Sequence, residues 1–128
     1  MIRFLTLAEA LLICEDQLRR YGGIYGVRDL GLLNSALYQS QSTFEGVYLH
    51  ESIPAMAAAY GYHICKNHPF LDGNKRVALA SALVFLDLNG WDFDCDNDEI
   101  YGAMMAVASG KMDKNGLTAL FLRCSKQR

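Results

Sequence analysis

The sequence predicts an all-α fold of about six helices around a buried central helix, at roughly residues 74–89. The run from Val77 to Leu88 is apolar almost throughout, as expected of a helix inside a domain. Asn89-Gly90 follows it, and Gly is the usual residue just past a helix C-terminus. Elsewhere, apolar residues recur at helical spacing behind capping residues, so helices are predicted on both sides of this run.

At 128 residues the chain is expected to form one domain, 1–128, that buries about two-thirds of its unfolded surface. Apolar residues make up 52% and charged residues 20% of the chain, which favours a globular protein over a disordered one. No repeat, linker or low-complexity tract divides the sequence.

The first two helices are predicted from capping residues. Thr6 and Glu9 form a capping box, and the helix behind it ends at Tyr21-Gly22-Gly23. Its apolar positions are Leu7, Leu11, Cys14 and Leu18. After a loop from Ile24 to Arg28, Asp29 is a plausible N-cap for a second helix. The buried face expected for that helix is Leu30, Leu33 and Leu37.

The middle of the chain leads to a polar loop. Periodicity is lost from Gln41 to Glu51, which predicts an irregular segment or a short hairpin. Ser52 then caps a helix, with Pro54 tolerated in its first turn. That helix is expected to end near Asn67, immediately before the loop that precedes the central helix.

Two further helices are predicted after the central one. Trp91-Asp92-Phe93 is too short to be more than a connector. Asp96 and Glu99 resemble a second capping box, for a helix that Gly110 stops. A last helix closes the chain with Leu117, Leu120, Phe121 and Cys124 on its apolar face.

Net charge and cysteine content limit which partners and which cellular compartment are expected. The net charge of −2 argues against broad nucleic-acid binding, although Lys66, Lys75 and Arg76 could form a local basic patch. The cysteines are dispersed and follow no signal peptide, so four reduced thiols in a cytoplasmic protein are expected: Cys14, Cys65, Cys95 and Cys124. No apolar run approaches the ~18 residues that span a membrane.

The loop His68-Pro69-Phe70-Leu71-Asp72-Gly73-Asn74-Lys75-Arg76 concentrates the chemistry of the chain. Gly73-Asn74 is a turn signal, and the turn opens a helix N-terminus, where free N–H groups favour an anion. Lys75 and Arg76 add cations that hold phosphate, while Asp72 would repel phosphate unless Mg²⁺ bridges them. His68 can carry a proton near neutral pH. These residues predict a phosphate-handling site.

This loop also resembles the signature H-P-F-x-D-G-N-x-R of the Fic/Doc superfamily, and the form found here resembles its Doc (death-on-curing) branch. The resemblance extends to Arg20-Tyr21-Gly22-Gly23, to Gly26-Val27-Arg28-Asp29 with Gly31-Leu32-Leu33, and to the residues behind the loop. It implies the mainly helical Fic/Doc fold, in agreement with the helical pattern.

The resemblance implies a role for each loop residue, beside a plainer one. His68 would take the proton from a target hydroxyl, whereas a lone His is usually an ordinary loop residue. Asp72 would coordinate Mg²⁺ on the nucleotide, or simply cap the helix. Gly73 and Asn74 would bind phosphate through backbone N–H groups and the Asn74 amide, or form only a turn. Lys66 stands where Doc-type toxins have Arg, or is an exposed helix-end Lys.

Lys75 and Leu79 bear on which group is transferred. The Fic branch has Gly-Arg at the places of Lys75-Arg76 and a second Arg three residues later, a pattern associated with AMP transfer from ATP. Here Leu79 occupies the place of that second Arg. Doc-branch proteins share this Lys and lack this Arg, and they transfer the γ-phosphoryl group as protein kinases.

The resemblance therefore implies a toxin of a toxin–antitoxin pair that uses ATP and Mg²⁺ to phosphorylate a protein hydroxyl. The implied target is elongation factor Tu, and the implied outcome is arrest of translation. An AMP-transferring enzyme and a catalytically inactive binding module remain alternatives. The chain lacks the inhibitory motif [ST]-x-x-x-E-[GN] of many Fic proteins, so inhibition by a separate antitoxin of the Phd type is expected.

The other notable residues are expected to be incidental or structural. His50 and His63 look incidental, because no two His lie at a spacing typical of zinc, and Cys65 offers no thiolate partner. Arg28 and Asp29 are expected only to cap and to pair. Phe70 is expected to be an apolar plug that fixes the loop.

Overall fold

Six helices account for most of the chain in the computed structural model, which describes all of residues 1–128. The helices are α1 (Leu7–Tyr21), α2 (Leu30–Gln39), α3 (Ile53–Asn67), α4 (Asn74–Leu88), α5 (Asn97–Ala108) and α6 (Lys114–Cys124). The all-α fold is therefore confirmed, and each predicted helix is present. None of these helices is both long and apolar enough to cross a lipid bilayer.

The predicted caps explain where the helices begin. Thr6 Oγ1 accepts a hydrogen bond from the Glu9 N–H at 3.1 Å, and Glu9 Oε1 accepts one from the Thr6 N–H at 2.9 Å. The Asp29 side chain accepts from the Leu32 N–H at 2.9 Å and opens α2. Each bond satisfies a backbone donor that the first helical turn leaves without a partner.

The core is formed by residues from all six helices, with α3 packed against α2, α4 and α6. At Gly61 the helix α3 lies close to both partners, because a Cβ there would be in van der Waals contact with Leu117 Cδ2 at 3.5 Å and with the Ala82 Cβ at 3.8 Å. The apolar helix α4 has Phe85 and Leu86 in the core but leaves Val84 and Leu88 partly exposed. Helices α3 and α4 thus form the centre of the fold, and the loop connects the C-terminus of α3 to the N-terminus of α4.

Two short antiparallel strand pairs complete the fold. The segment predicted as irregular contains β1 (Thr43–Phe44) paired with β2 (Val47–Tyr48). The prediction that Trp91-Asp92-Phe93 is only a connector was wrong, because these residues form β3 (Trp91–Phe93) and pair antiparallel with β4 (Ser125–Gln127). That pairing joins segments more than thirty positions apart. The composition of three residues cannot indicate such a distant partner.

One predicted core residue lies outside the core. Leu30 is 50% exposed, whereas Leu33 and Leu37 are buried as expected. Leu30 is the first residue of α2, next to the exposed cap Asp29, so the helix packs through residues further along. Ala36 and Ser40 complete the buried face, and the Ser40 hydroxyl donates to the Met56 carbonyl at 2.9 Å.

Candidate active site

The signature loop is held between the end of α3 and the start of α4. His68 caps α3 in the left-handed conformation, with φ 51° and ψ 52°, and its N–H donates to the Ile64 carbonyl at 3.2 Å. Few non-glycine residues adopt this conformation, so the surrounding contacts must hold it. Gly73 is also left-handed, with φ 74° and ψ 19°, and Asn74 follows it as the first residue of α4.

The loop is fixed from the inside by Phe70 and Asn74. Phe70 is fully buried, as its predicted role as a plug requires. Asn74 Oδ1 accepts from the Phe70 N–H at 2.9 Å, and Asn74 Nδ2 donates to the Phe70 carbonyl at 3.0 Å. The buried Asn74 side chain therefore holds the loop through Oδ1 and one N–H of its amide. The phosphate role predicted for this amide stays a prediction.

A second segment, residues 26–29, braces the loop from the outside. The N–H groups of Arg28 and Asp29 both donate to the Pro69 carbonyl, at 2.7 and 3.0 Å. The Leu71 N–H donates to the Gly26 carbonyl at 3.0 Å, on the far side of a β-bridge between Val27 and Phe70. The resemblance of this segment to Doc-type proteins thus has a structural counterpart, because it supports the loop directly.

Arg28 has a role that sequence reasoning missed. Its Nε donates to the His68 carbonyl at 2.7 Å and its Nη2 to the Asn67 carbonyl at 3.1 Å. These are carbonyls at the C-terminus of α3, where the helix dipole favours a cation. Arg28 therefore fixes the backbone of His68 and forms no ion pair with Asp29. The only signal for this contact in the sequence was the place of Arg28 within the segment that resembles Doc-type proteins.

Asp72 is oriented by two backbone donors. Its Oδ1 accepts from the Gly73 N–H at 2.8 Å, and its Oδ2 accepts from the Ile24 N–H at 3.2 Å. Gly23 makes the second bond possible, because a Cβ there would lie 2.8 Å from Asp72 Oδ2. One bond to each oxygen leaves further acceptor capacity on the carboxylate. Asp72 can therefore still bind a cation, whereas the Gly73 N–H, predicted to bind phosphate, is engaged by Asp72.

The predicted site residues come together in a single cavity of about 420 Å³. All seven line it: Lys66, His68, Asp72, Gly73, Asn74, Lys75 and Arg76. Cys65, Leu71 and Ala108 complete the wall. Burial raises the pKa of the Cys65 thiol above its usual value, although Lys75 and Lys66 oppose the shift. Cys65 therefore adds no negative charge to the cavity.

The charge of the cavity is mainly positive. Lys66, Lys75 and Arg76 form no ion pair with a carboxylate, and Asp72 is the only acidic residue in the lining. The first turn of α4 adds N–H groups that have no acceptor within the helix. Clustered cationic donors of this kind are suited to a polyanion, and a neighbouring carboxylate is suited to a divalent cation.

Arg76 also borders an apolar groove beside the cavity. Its Nη2 donates to the Gly22 carbonyl at 3.1 Å, and its guanidinium lies 5.7 Å from the centre of the Tyr21 ring. Leu79, one turn along α4, is only 8% exposed and lies on the floor of this groove. The groove, about 260 Å³ in volume, is lined by Gln17, Tyr21, Arg76, Leu79, Ala80, Leu83 and Tyr101.

Two side-chain clusters lie outside the cavity, and each joins residues that are distant in the sequence. Lys114 Nζ lies 3.3 Å from the Nε2 atoms of both His50 and His63, which had looked incidental. Cys95, Cys124 and one oxygen of Glu99 meet within 4.8 Å. Both clusters join residues distant in sequence, so spacing could not reveal them.

Comparisons with known proteins agree with the fold and the loop. A profile of the Fic/DOC family matches residues 4–86. The chain is 39% identical over 103 residues to "Toxin Doc" of Mycolicibacterium smegmatis, covering 77% of this chain and 78% of that protein. It is 28% identical over 113 residues to "Protein kinase doc" of Escherichia phage P1, covering 87% and 86%. The chain belongs to the Fic/DOC family.

Proposed function

We propose that this chain is a toxin of a toxin–antitoxin pair that transfers the γ-phosphoryl group of ATP to a protein hydroxyl in the cytoplasm. The observation that carries the proposal is the composition of the cavity. It places His68 and Asp72 beside three cations, none of them paired with a carboxylate. A base, a cation-binding carboxylate and a cationic anion site are the parts that phosphoryl transfer requires.

The triphosphate would be held by the start of α4. Lys75, Arg76 and Lys66 supply cationic donors, and the N–H groups of the first turn of α4 supply neutral ones. Asp72 is the residue that would hold Mg²⁺, which neutralises phosphate charge when bound. The acceptor capacity left on both Asp72 oxygens fits this role.

In the proposed reaction, the target hydroxyl oxygen bonds to the γ-phosphorus of ATP. The bond between that phosphorus and the β–γ bridging oxygen breaks, and ADP leaves with the electron pair. The hydroxyl proton passes to the His68 imidazole as general base. The Arg28 bonds to the His68 and Asn67 carbonyls support this role, because they fix the backbone that carries the imidazole.

Transfer of the γ-phosphoryl group is favoured over AMP transfer by Leu79. Leu79 stands where the AMP-transferring Fic branch has a second arginine, so α4 lacks that cation for the phosphates. Its side chain is nearly buried and lines the apolar groove instead. The naming of the phage relative as a protein kinase supports the same choice. We further propose elongation factor Tu as the target, with arrest of translation as the consequence.

The decisive experiment uses ATP labelled at different positions. Purified chain, Mg²⁺ and elongation factor Tu are incubated with γ-labelled or α-labelled ATP. Label on the target only from γ-labelled ATP supports the kinase, and label from α-labelled ATP would establish AMP transfer. If a lysate is labelled from γ-labelled ATP but elongation factor Tu is not, the target assignment alone fails. Absence of both nucleotide binding and transfer would identify an inactive binding module.

We also propose that an antitoxin of the Phd type inhibits the chain by placing a helix in the apolar groove. Tyr21 and Tyr101 stand exposed at its rim, and Leu79 and Leu83 provide an apolar floor beside Arg76. A disordered segment that folds on binding suits such a groove. Expression of the chain alone should arrest growth, and co-expression of the neighbouring gene product should restore it. Harmless expression of a folded, catalytically active chain would contradict this proposal.

A further inference from the structure

A cluster of three donor atoms lies outside the candidate active site, near the C-terminus. The Sγ atoms of Cys95 and Cys124 and one carboxylate oxygen of Glu99 all lie within 4.8 Å of one another. Cys95 follows β3, Glu99 lies in the first turn of α5, and Cys124 is the last residue of α6. Three separate parts of the fold therefore place metal-ligating side chains at one point.

Backbone contacts fix this convergence. The Asp94 N–H donates to the Cys124 carbonyl at 2.8 Å, which extends the β3–β4 pairing to the residue before Cys95. Asp96 caps α5 by accepting from the Glu99 N–H at 3.2 Å. The three side chains thus project from positions that secondary structure determines, rather than from a free loop.

The Glu99 carboxylate is oriented toward the sulfur atoms. Its Oε2 is paired with Arg123, and its Oε1 accepts from the Cys95 thiol at 3.7 Å. A ligand carboxylate held on its far side by a second partner is the usual arrangement around protein metal ions. Arg123 leaves Oε1 available while it limits rotation of the carboxylate.

We propose that Cys95, Cys124 and Glu99 form a zinc site, with water as the fourth ligand. Zn–S bonds of about 2.3 Å and Zn–O bonds of about 2.0–2.2 Å in a tetrahedron separate sulfur from oxygen by about 3.5 Å and sulfur from sulfur by about 3.8 Å. The 3.7 Å between Cys95 Sγ and Glu99 Oε1 fits this geometry. Two thiolates, one carboxylate, Zn²⁺ and the Arg123 guanidinium would together carry no net charge.

The donor set favours a metal over a disulfide. A disulfide would join only the two sulfur atoms, whereas the Glu99 carboxylate lies at the same point and is oriented toward them. A divalent cation attracts the thiolates and the carboxylate alike. Two sulfur donors also favour Zn²⁺ over Mg²⁺, which prefers oxygen ligands.

A zinc ion here would join the start of α5 to the end of α6. Because the unfolded chain would not hold the three ligands together, zinc binding would stabilise the folded chain. The site is independent of the proposed phosphoryl transfer, so it can be tested whether or not the chain is a kinase.

The experiment measures zinc binding by the full chain under a non-chelating reductant, in competition with a chromophoric chelator. One zinc per chain is expected. Cys95→Ser and Glu99→Gln, at half-buried and exposed positions, should weaken binding by at least the roughly 10–100-fold that loss of an outer-shell partner costs. The matched control Cys14→Ala removes a buried thiol outside the cluster and should bind like wild type.

Two further readouts do not depend on the competition assay. Saturating zinc should raise the melting temperature of wild type and of Cys14→Ala by roughly 5–15 °C, and that of Cys95→Ser by much less. Co²⁺ in place of zinc should show thiolate charge-transfer absorption. Wild-type zinc affinity in Cys95→Ser, no thiolate absorption, or a Cys95–Cys124 disulfide in a chain that binds no zinc when reduced would each overturn the proposal.

Discussion

The arginines of this protein divide into two groups by region. Five of the seven pair with carboxylates along the outer surface: Arg3, Arg19, Arg20, Arg123 and Arg128. The other two, Arg28 and Arg76, donate to backbone carbonyls around the signature loop. Exposed ion pairs like those of the first group add little stability. The bonds of the second group position a segment of backbone and leave the charge of the guanidinium without a countercharge.

The difference shows why net charge describes this chain poorly. The whole chain carries −2, yet the lining of the cavity combines Lys66, Lys75 and Arg76 with a single carboxylate. Because the other arginines are paired and the loop cations are not, positive charge is concentrated at the cavity of a chain that is acidic as a whole. Substitutions at the loop are therefore expected to affect function in a way that substitutions on the paired surface do not.

The largest effect is expected at His68. His68→Ala should lower phosphoryl transfer by ~10²–10⁴-fold, the usual cost of losing a general base. The melting temperature should hardly change, because the side chain is exposed. His68→Asn is the paired variant, since Asn tolerates the left-handed backbone found there. Wild-type transfer by both variants would show that the loop histidine is not the base.

A smaller loss is expected when Arg28 is changed. Arg28→Gln removes the charged donor from the His68 and Asn67 carbonyls, so the imidazole should lose its fixed position. Transfer should fall by roughly 10–100-fold, mainly in kcat, because misplacement of a catalytic group by about 1 Å costs on that scale. Arg28→Lys should recover part of the rate. A fall in melting temperature with unchanged kcat would leave Arg28 a purely structural role.

Lys114 extends the comparison to a third kind of cation. Its ammonium lies between two imidazoles and forms no ion pair with a carboxylate. Burial, together with the nearby Lys114 and His50 side chains, lowers the pKa of His63 to about 4. Burial and Lys114 likewise lower the pKa of His50. Both imidazoles are therefore neutral acceptors in the folded protein at neutral pH.

The pH dependence of stability follows from this arrangement. The folded pKa of His63 is below the unfolded value of about 6.5, so its contribution is complete above pH ~6.5 and is lost as pH falls toward 4. The loss should reach roughly 2–3 kcal/mol, measured as denaturant stability between pH 7.5 and 4. His63→Gln should flatten this slope. Glu9, whose pKa is lowered to about 2, loses its contribution only at more acidic pH.

Local features of the fold and the site could be read from the sequence. Thr6 with Glu9, Asp29 and Ser52 cap their helices through side chains that reach residues three positions on, so proximity in sequence was sufficient. The loop residues are likewise close in sequence. The prediction that they share a site needed only the turn at Gly73 and the start of α4.

Contacts between distant segments could not be read in the same way. The Arg28 bonds to α3 span about forty positions, and the β3–β4 pairing spans more than thirty. The bonds of Asn74 to Phe70 were missed for a different reason. An Asn that holds a loop from inside and an Asn that binds phosphate look alike in a sequence. Only the folded structure shows whether the side chain is buried. Packing therefore determines which polar residues remain available to a ligand.

The smallest effect is expected on the paired surface, at Arg19. Arg19 Nη2 lies 3.1 Å from Glu15 Oε1 across one helical turn, and the two side chains are 70% and 51% exposed. Arg19→Gln should shift the melting temperature by no more than about 1–2 °C, because water screens such a pair. Transfer should stay at the wild-type rate, so this variant is the matched control for Arg28→Gln. Equal loss of transfer in the two variants would indicate that cationic charge is needed over a wide surface, for instance to attract an acidic target. The division between the loop and the paired surface would then be wrong.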